Sequence, residues 1–216
     1  MSGDYLNEEN NNLNTIDNIV DSDEQIENNS INNNSESVFI AEASMQGKEL
    51  KTIVNEIKFQ DQLRNKGFGE IFNNEYILSN LETLYLLNNN KLKLLGKKEY
   101  NFSSLLKALL KKDKKILTKY LIYRDLRSKG YVVKEGYGFG TDFRIYERGE
   151  YGKKPSKYVS IGINEGLNIK SIDFVETIEQ IENMGKDTVI AVIERRGEVI
   201  YYKTTKMSFF ENIKKT

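Results

Sequence analysis

The sequence predicts an α+β protein (mixed α/β) built as two small domains, and three observations lead there. Apolar residues recur at helical spacing in some segments and alternate with period two in others; glycine and asparagine clusters punctuate them; and the polar character of the first 45 residues stops near Glu49. A chain of 216 residues has room for one ordinary domain or two small ones, each with a modest core. The pattern predicts a tail over 1–45, a small N-terminal α/β domain over 46–115, a C-terminal domain over 116–210 and a short tail over 211–216.

Residues 1–45 are crowded with Asn, Asp, Glu and Ser, and apolar positions such as Leu13, Ile16 and Val20 are scattered. Such a stretch cannot bury enough apolar surface to offset ordering costs of ~1–2 kcal/mol per residue, which predicts disorder. From Glu49 the pattern becomes globular. Lys51-Thr52-Ile53-Val54 opens a strand, while Ile71-Phe72, Tyr76-Ile77-Leu78 and the helically spaced Leu81, Leu84, Tyr85 and Leu87 build a small core. Asn88-Asn89-Asn90 signals a turn, after which Lys91 to Leu95 alternates as an exposed strand. Ser103 to Leu117 reads as one amphipathic helix with a lysine-rich outer face. Its KKDKK run falls in mid-helix or in a short linker at the domain boundary.

The run from Lys119 to Tyr158 organises the remainder. Tyr120, Ile122, Tyr123 and Leu126 share an apolar helical face, and Gly130 stops the helix. Tyr131-Val132-Val133 is bulky and β-prone, and Gly136-Tyr137-Gly138-Phe139-Gly140 reads as a turn or bulge before a second strand, Asp142 to Tyr146. Tyr158 to Ile163 alternates as a strand, and Ile172 to Met184 fits a helix with Phe174, Ile178 and Ile181 inward. Val189 to Ile193 is a continuous apolar run suited to a strand buried on both faces. Arg195-Arg196-Gly197 turns it back into Glu198 to Tyr202, a closing hairpin.

Composition narrows the chemistry. The chain has no cysteine and no histidine, which excludes disulfides, thiolate metal sites and imidazole ligands. No run approaches the ~20 apolar residues of a membrane span, so the expectation is a cytoplasmic protein without membrane contact. The formal net charge is zero, yet the charges are segregated. Residues 1–47 hold ten acidic side chains and no Lys or Arg, leaving 32 basic against 22 acidic groups in the body. A basic body suits a phosphate backbone, because Lys and Arg displace its counterions; the plainer reading is a lysine-rich solvated face. The acidic tail would compete with RNA for that surface, or serve only as a neutral extension.

The string from Tyr123 to Gly149, YRDLRSKGYVVKEGYGFGTDFRIYERG, resembles the catalytic-domain signature of the archaeal tRNA-splicing endonuclease family. Leu63 to Glu70 and Leu81 to Leu87 resemble that family's N-terminal domain, and Val189 to Tyr202 its final hairpin, so the likeness covers roughly Glu49 to Lys203. The resemblance implies a restriction-endonuclease-like C-terminal domain with a mixed central sheet, and an N-terminal domain that supports assembly. It also implies a substrate, precursor tRNA with a bulge–helix–bulge, and homo- or hetero-oligomers of endonuclease subunits. No cofactor or metal is implied: the ribose 2′-hydroxyl attacks its own adjacent phosphate, leaving a 2′,3′-cyclic phosphate and a 5′-hydroxyl.

That reaction needs a group to take the 2′-proton, a donor for the departing 5′-oxygen, and a cation for the charged transition state. The family assigns these to a Tyr, a His and a Lys. By resemblance the tyrosine is Tyr146 and the lysine Lys186. Alone, a strand-end Tyr reads as a packing residue and a lone Lys as a solvated helix end. The histidine position falls on Pro155, which has no side-chain proton to give. Lys153, Lys154, Ser156 and Lys157 lie close in sequence, but an ordinary exposed Lys holds its proton too tightly to match imidazole. A base-clamping arginine of the family falls on Glu179, within the acidic segment Glu176 to Glu182, where a carboxylate repels phosphate.

Three readings follow: a structural or catalytically impaired subunit beside a complete partner; a slow endonuclease working without His; and a diverged paralogue binding RNA or protein. The turn Glu194 to Glu198 occupies the region where the resemblance implies subunit docking through strand edges and an acidic loop. Glu194 and Glu198 suit that role, and Arg195 and Arg196 dilute the negative charge.

Overall fold

The computed structural model describes residues 38–46, 49–96, 100–166 and 168–207. The expectations for 1–37 and 211–216 lie outside the described residues. The chain divides between Leu117 and Thr118 into two compact units, each with a five-stranded sheet of mixed direction.

The first unit runs β1 (Phe39–Gln46), β2 (Glu49–Ile53), α1 (Ile57–Asn65), β3 (Glu70–Phe72), β4 (Glu75–Leu78), α2 (Asn80–Asn88), β5 (Leu92–Leu95) and α3 (Phe102–Leu110). Its sheet order is β3-β4-β2-β1-β5, with β1 and β5 parallel and the other pairs antiparallel. The boundary expected at residue 45 is corrected by β1, which lies inside the sheet and begins at Phe39. Phe39 and Ala41 are buried beside Leu92 and Leu94 of the parallel neighbour, and the Phe39 ring meets Phe59 edge-on at 5.7 Å. A short apolar run, Val38 to Ala41, is diluted when averaged with the polar residues before it.

Ile71 and Phe72 are not core residues: they are 64% and 62% exposed, while Tyr76 and Leu78 of the paired strand are buried. β3 is an edge strand of three residues, turned back by Asn73 and Asn74 at positive φ, the residue type that tolerates such a hairpin turn. β5 is one-sided rather than exposed, with Leu92 and Leu94 buried. The single helix expected over Ser103–Leu117 is two helices. An Asn101/Ser104 capping box starts α3, which ends at Leu110, and the Asp113 carboxylate accepts the Lys115 amide at 2.9 Å in the intervening turns. A short acidic side chain that bonds its own backbone competes with helical pairing.

The second helix, α4 (Ile116–Ser128), begins at the divide and leads into β6 (Val132–Gly138), β7 (Thr141–Tyr146), β8 (Tyr158–Asn164), α5 (Ser171–Asn183), β9 (Asp187–Ile193) and β10 (Val199–Thr204). The sheet order is β10-β9-β8-β7-β6, and only β8 and β9 run parallel, joined across α5. Phe143 meets Tyr123 of α4 at 6.2 Å, whereas Val159 and Ile161 pack with Ile181, against which Phe174 also lies. Because side chains alternate along a strand, α4 and α5 cover opposite faces. β9 is not buried on both faces: Thr188, Ala191 and Ile193 are buried, while Val189, Ile190 and Val192 are half-buried, with one strand between β9 and the sheet edge.

Candidate functional site

The motif hairpin is shaped by its glycines. Between Glu135 and Gly138 the β6–β7 register shifts, and a Cβ on Gly136 would stand 2.4 Å from the Thr141 carbonyl oxygen, so only glycine fits. Phe139 and Gly140 both take positive φ and close the turn. The hairpin then delivers Tyr146 to the end of β7, opposite Val132.

α5 delivers Lys186. Gly185 adopts φ +67°, its amide donates to Glu182 and the Lys186 amide donates to Ile181, the paired bonds of a Schellman stop. Lys186 therefore stands one residue before β9.

Cross-strand pairing relates the two. Ile145, Tyr158 and Asp187 form one row across β7, β8 and β9. Tyr146 lies one residue beyond that row on β7 and Lys186 one residue beyond it on β9, at the same end of the sheet. Two strand spacings put their backbones about 10 Å apart. Both side chains are half-buried.

Other cations gather on this surface. Phe143 and Ile145 are buried on the α4 side, so alternation places Arg144 and Tyr146 on the α5 side with their cross-strand partners Lys134 and Val132. Lys134 is 6% exposed, and its Nζ lies 5.5 Å from the centroid of the Tyr151 ring, which meets Tyr146 edge-on at 5.0 Å. The Arg144 guanidinium sits 5.2 Å from the Tyr137 ring centroid, and its Nε donates to the Glu135 carbonyl at 2.7 Å.

Pro155 is exposed, and the next residue, Ser156, is buried. Lys186 Nζ donates to the Ser156 carbonyl oxygen at 2.6 Å, and the Tyr137 hydroxyl lies 3.2 Å from Ser156 Oγ. The neighbouring lysines are held by carboxylates. Lys154 Nζ donates to Glu150 and Lys157 Nζ to Glu147, each at 2.6 Å, and these bonds raise both ammonium pKa values above the usual lysine range. The bond from Lys157 lowers the pKa of Glu147, which also accepts the Tyr158 hydroxyl. Glu179 faces the Lys206 ammonium at 2.7 Å, and the Arg195 guanidinium lies 3.9 Å from Glu165.

Sequence reasoning missed Lys134, Tyr137 and Tyr151. Tyr137 lies inside the glycine-spaced run, which by its spacing signals a turn or bulge and no site residue. Among the described residues no cluster of three or more His, Cys, Asp or Glu side chains is arranged to hold a metal ion, and no helix is long and apolar enough to cross a membrane.

Comparison with known proteins decides the family. Residues 116–201 match the tRNA intron endonuclease catalytic C-terminal domain and residues 45–106 match the tRNA intron endonuclease N-terminal domain. The tRNA-splicing endonuclease of Thermococcus onnurineus is 36% identical over 151 residues, 69% of this chain and 87% of that protein. The chain belongs to the tRNA intron endonuclease family. Further members of the family similar to it are the tRNA-splicing endonucleases of Pyrococcus furiosus, 32% identical over 67% of this chain and 84% of its own length, and of Methanococcus maripaludis, 32% identical over 65% and 81%. Both sheets of this tRNA intron endonuclease chain lie mainly within the two matched regions, and Tyr146, Pro155 and Lys186 all fall in the C-terminal one.

Proposed function

We propose that this chain is a subunit of a cytoplasmic tRNA-splicing endonuclease, which takes part in recognising and removing introns from precursor tRNA, and that its own site is impaired at protonation of the leaving group. The observation that supports this most is the convergence of Tyr146 and Lys186 at one sheet end, beside a loop whose Pro155 offers no proton. Tyr146 takes the proton of the attacking 2′-hydroxyl, and Lys186 meets the charge that builds on the phosphate. Lys134 and Arg144 on the same face add positive potential for the RNA backbone. Lys154 and Lys157 do not replace imidazole, since their carboxylate partners make each ammonium a weaker acid. A partner endonuclease subunit carrying the full Tyr, His and Lys set completes the oligomer.

Single-turnover cleavage of an intron-containing precursor tRNA with a bulge–helix–bulge tests the reading. The chain alone is expected to release the intron about 10²–10⁴-fold more slowly than a histidine-bearing relative, the usual cost of a missing general acid. Pro155→His is expected to raise the rate and Tyr146→Phe to abolish it. Fast release by the chain alone, unchanged by Pro155→His, contradicts the impairment. Absence of precursor-tRNA binding contradicts the assignment as a whole.

A further inference from the structure

The proton donors around Lys186 can be sorted by what already holds them. Lys154 and Lys157 are committed to Glu150 and Glu147, and the Tyr158 hydroxyl donates to Glu147. Ser156 Oγ is buried. Tyr137 differs from all of these. Its side chain is 42% exposed, its ring lies against the Arg144 guanidinium, and its hydroxyl is 3.2 Å from Ser156 Oγ, on the residue whose carbonyl holds Lys186.

A phenol both donates and accepts, so when the Ser156 hydroxyl donates to the Tyr137 oxygen, the phenolic proton is left to point outward. The placement is an unusual use of sequence. The strand bulges at Gly136, where no Cβ fits, and this irregularity immediately precedes the tyrosine.

Resting on the reading of Tyr146 and Lys186 given above, we propose that the Tyr137 hydroxyl is the proton donor to the departing 5′-oxygen and supplies the residual cleavage of this chain. The 2′-oxygen forms a bond to phosphorus while its proton passes to Tyr146, which acts in its phenolate form and becomes the neutral phenol. The bond from phosphorus to the 5′-oxygen breaks, and that oxygen takes the Tyr137 proton. Solvent then reprotonates Tyr137 and deprotonates Tyr146, so atoms and charge balance without a co-reactant. Arg144 beside the ring compensates the charge that Tyr137 acquires.

The test uses the full chain and two versions of one bulge–helix–bulge RNA, with an oxygen or a sulfur atom bridging to the leaving 5′-carbon. A thiolate leaves without protonation, so the sulfur substrate bypasses the donor. Tyr137→Phe is expected to slow cleavage of the oxygen substrate by about 10²-fold or more and to leave the sulfur substrate within about twofold. Equal slowing of both substrates means that Tyr137 only packs the loop and overturns the proposal, as does no slowing of either. Cleavage of the sulfur substrate alone by the unaltered chain means that no donor operates; this overturns the role of Tyr137 and leaves the tRNA-processing assignment standing. Failure on both substrates despite RNA binding overturns Tyr146 and Lys186 together with Tyr137, and failure to bind the RNA overturns the assignment itself.

Discussion

Lys186 reaches from the start of β9 to the loop before β8, where its Nζ donates to the main-chain oxygen of Ser156 at 2.6 Å. This bond ties the residue after Pro155 to the end of the sheet that carries Tyr146. An ammonium has three donors, so the same group that positions the loop also has protons to offer a phosphate.

Lys186→Gln separates those two roles, because it keeps an N–H donor and loses the charge. Single-turnover intron release is expected to fall about 10²-fold, the scale of losing one transition-state donor. Thermal melting is expected to stay within a few degrees. A variant that cleaves at the parent rate removes Lys186 from the chemistry.

Gly136→Ala puts a Cβ 2.4 Å from the Thr141 carbonyl oxygen, a backbone atom that cannot rotate away. Strain of about 1–3 kcal/mol is expected, read as a lower midpoint in urea unfolding. The same change displaces Tyr137, so cleavage is expected to drop by more than the stability loss explains.

Tyr201 makes stability depend on alkaline pH. Burial, and then the hydrogen bond it donates to Asp125 at 2.7 Å, push its ionisation well above the usual tyrosine range. A folded-state pKa raised in this way contributes stability that is fully present below about pH 10, the ordinary tyrosine value, and is lost as pH rises through the folded value. Tyr201→Phe is expected to flatten that alkaline loss in denaturation at pH 9–12. At neutral pH it is expected to cost about 1–2 kcal/mol, kept modest because Lys129 still pairs with Asp125.

Phe39→Ala tests whether the first unit depends on a strand that composition alone assigns to the tail. The side chain is 2% exposed and stacks edge-on with Phe59, so truncation is expected to cost about 3–5 kcal/mol in chemical denaturation. A loss below about 1 kcal/mol would place β1 outside the cooperative core.

Much of the second unit was legible before the structure. Gly130 as a helix stop, the strand ending at Tyr146, the alternating Tyr158 to Ile163 and the closing hairpin each rest on side chains within a few residues of one another. Two of the failures arise from sheet pairing and one from a local side-chain bond. Phe39 and Ala41 become core only through Leu92 and Leu94, some fifty positions later, and Ile71 and Phe72 face outward because β3 lies at the sheet edge. The helix expected from Ser103 to Leu117 breaks because Asp113 turns its carboxylate onto its own backbone, a choice that lysine-rich amphipathic spacing does not display.

The sequence by itself determined the motif hairpin and the helix expected over Ile172 to Met184, since local periodicity and glycine placement specify these; Tyr146 and Lys186 were singled out by the family resemblance and not by periodicity. Only the tertiary structure decided that Tyr146 and Lys186 stand at one end of one sheet and that Tyr137 reaches Ser156. Strand order and register set those relationships. They are pairings between residues distant along the chain, for which a single sequence carries no periodic signal.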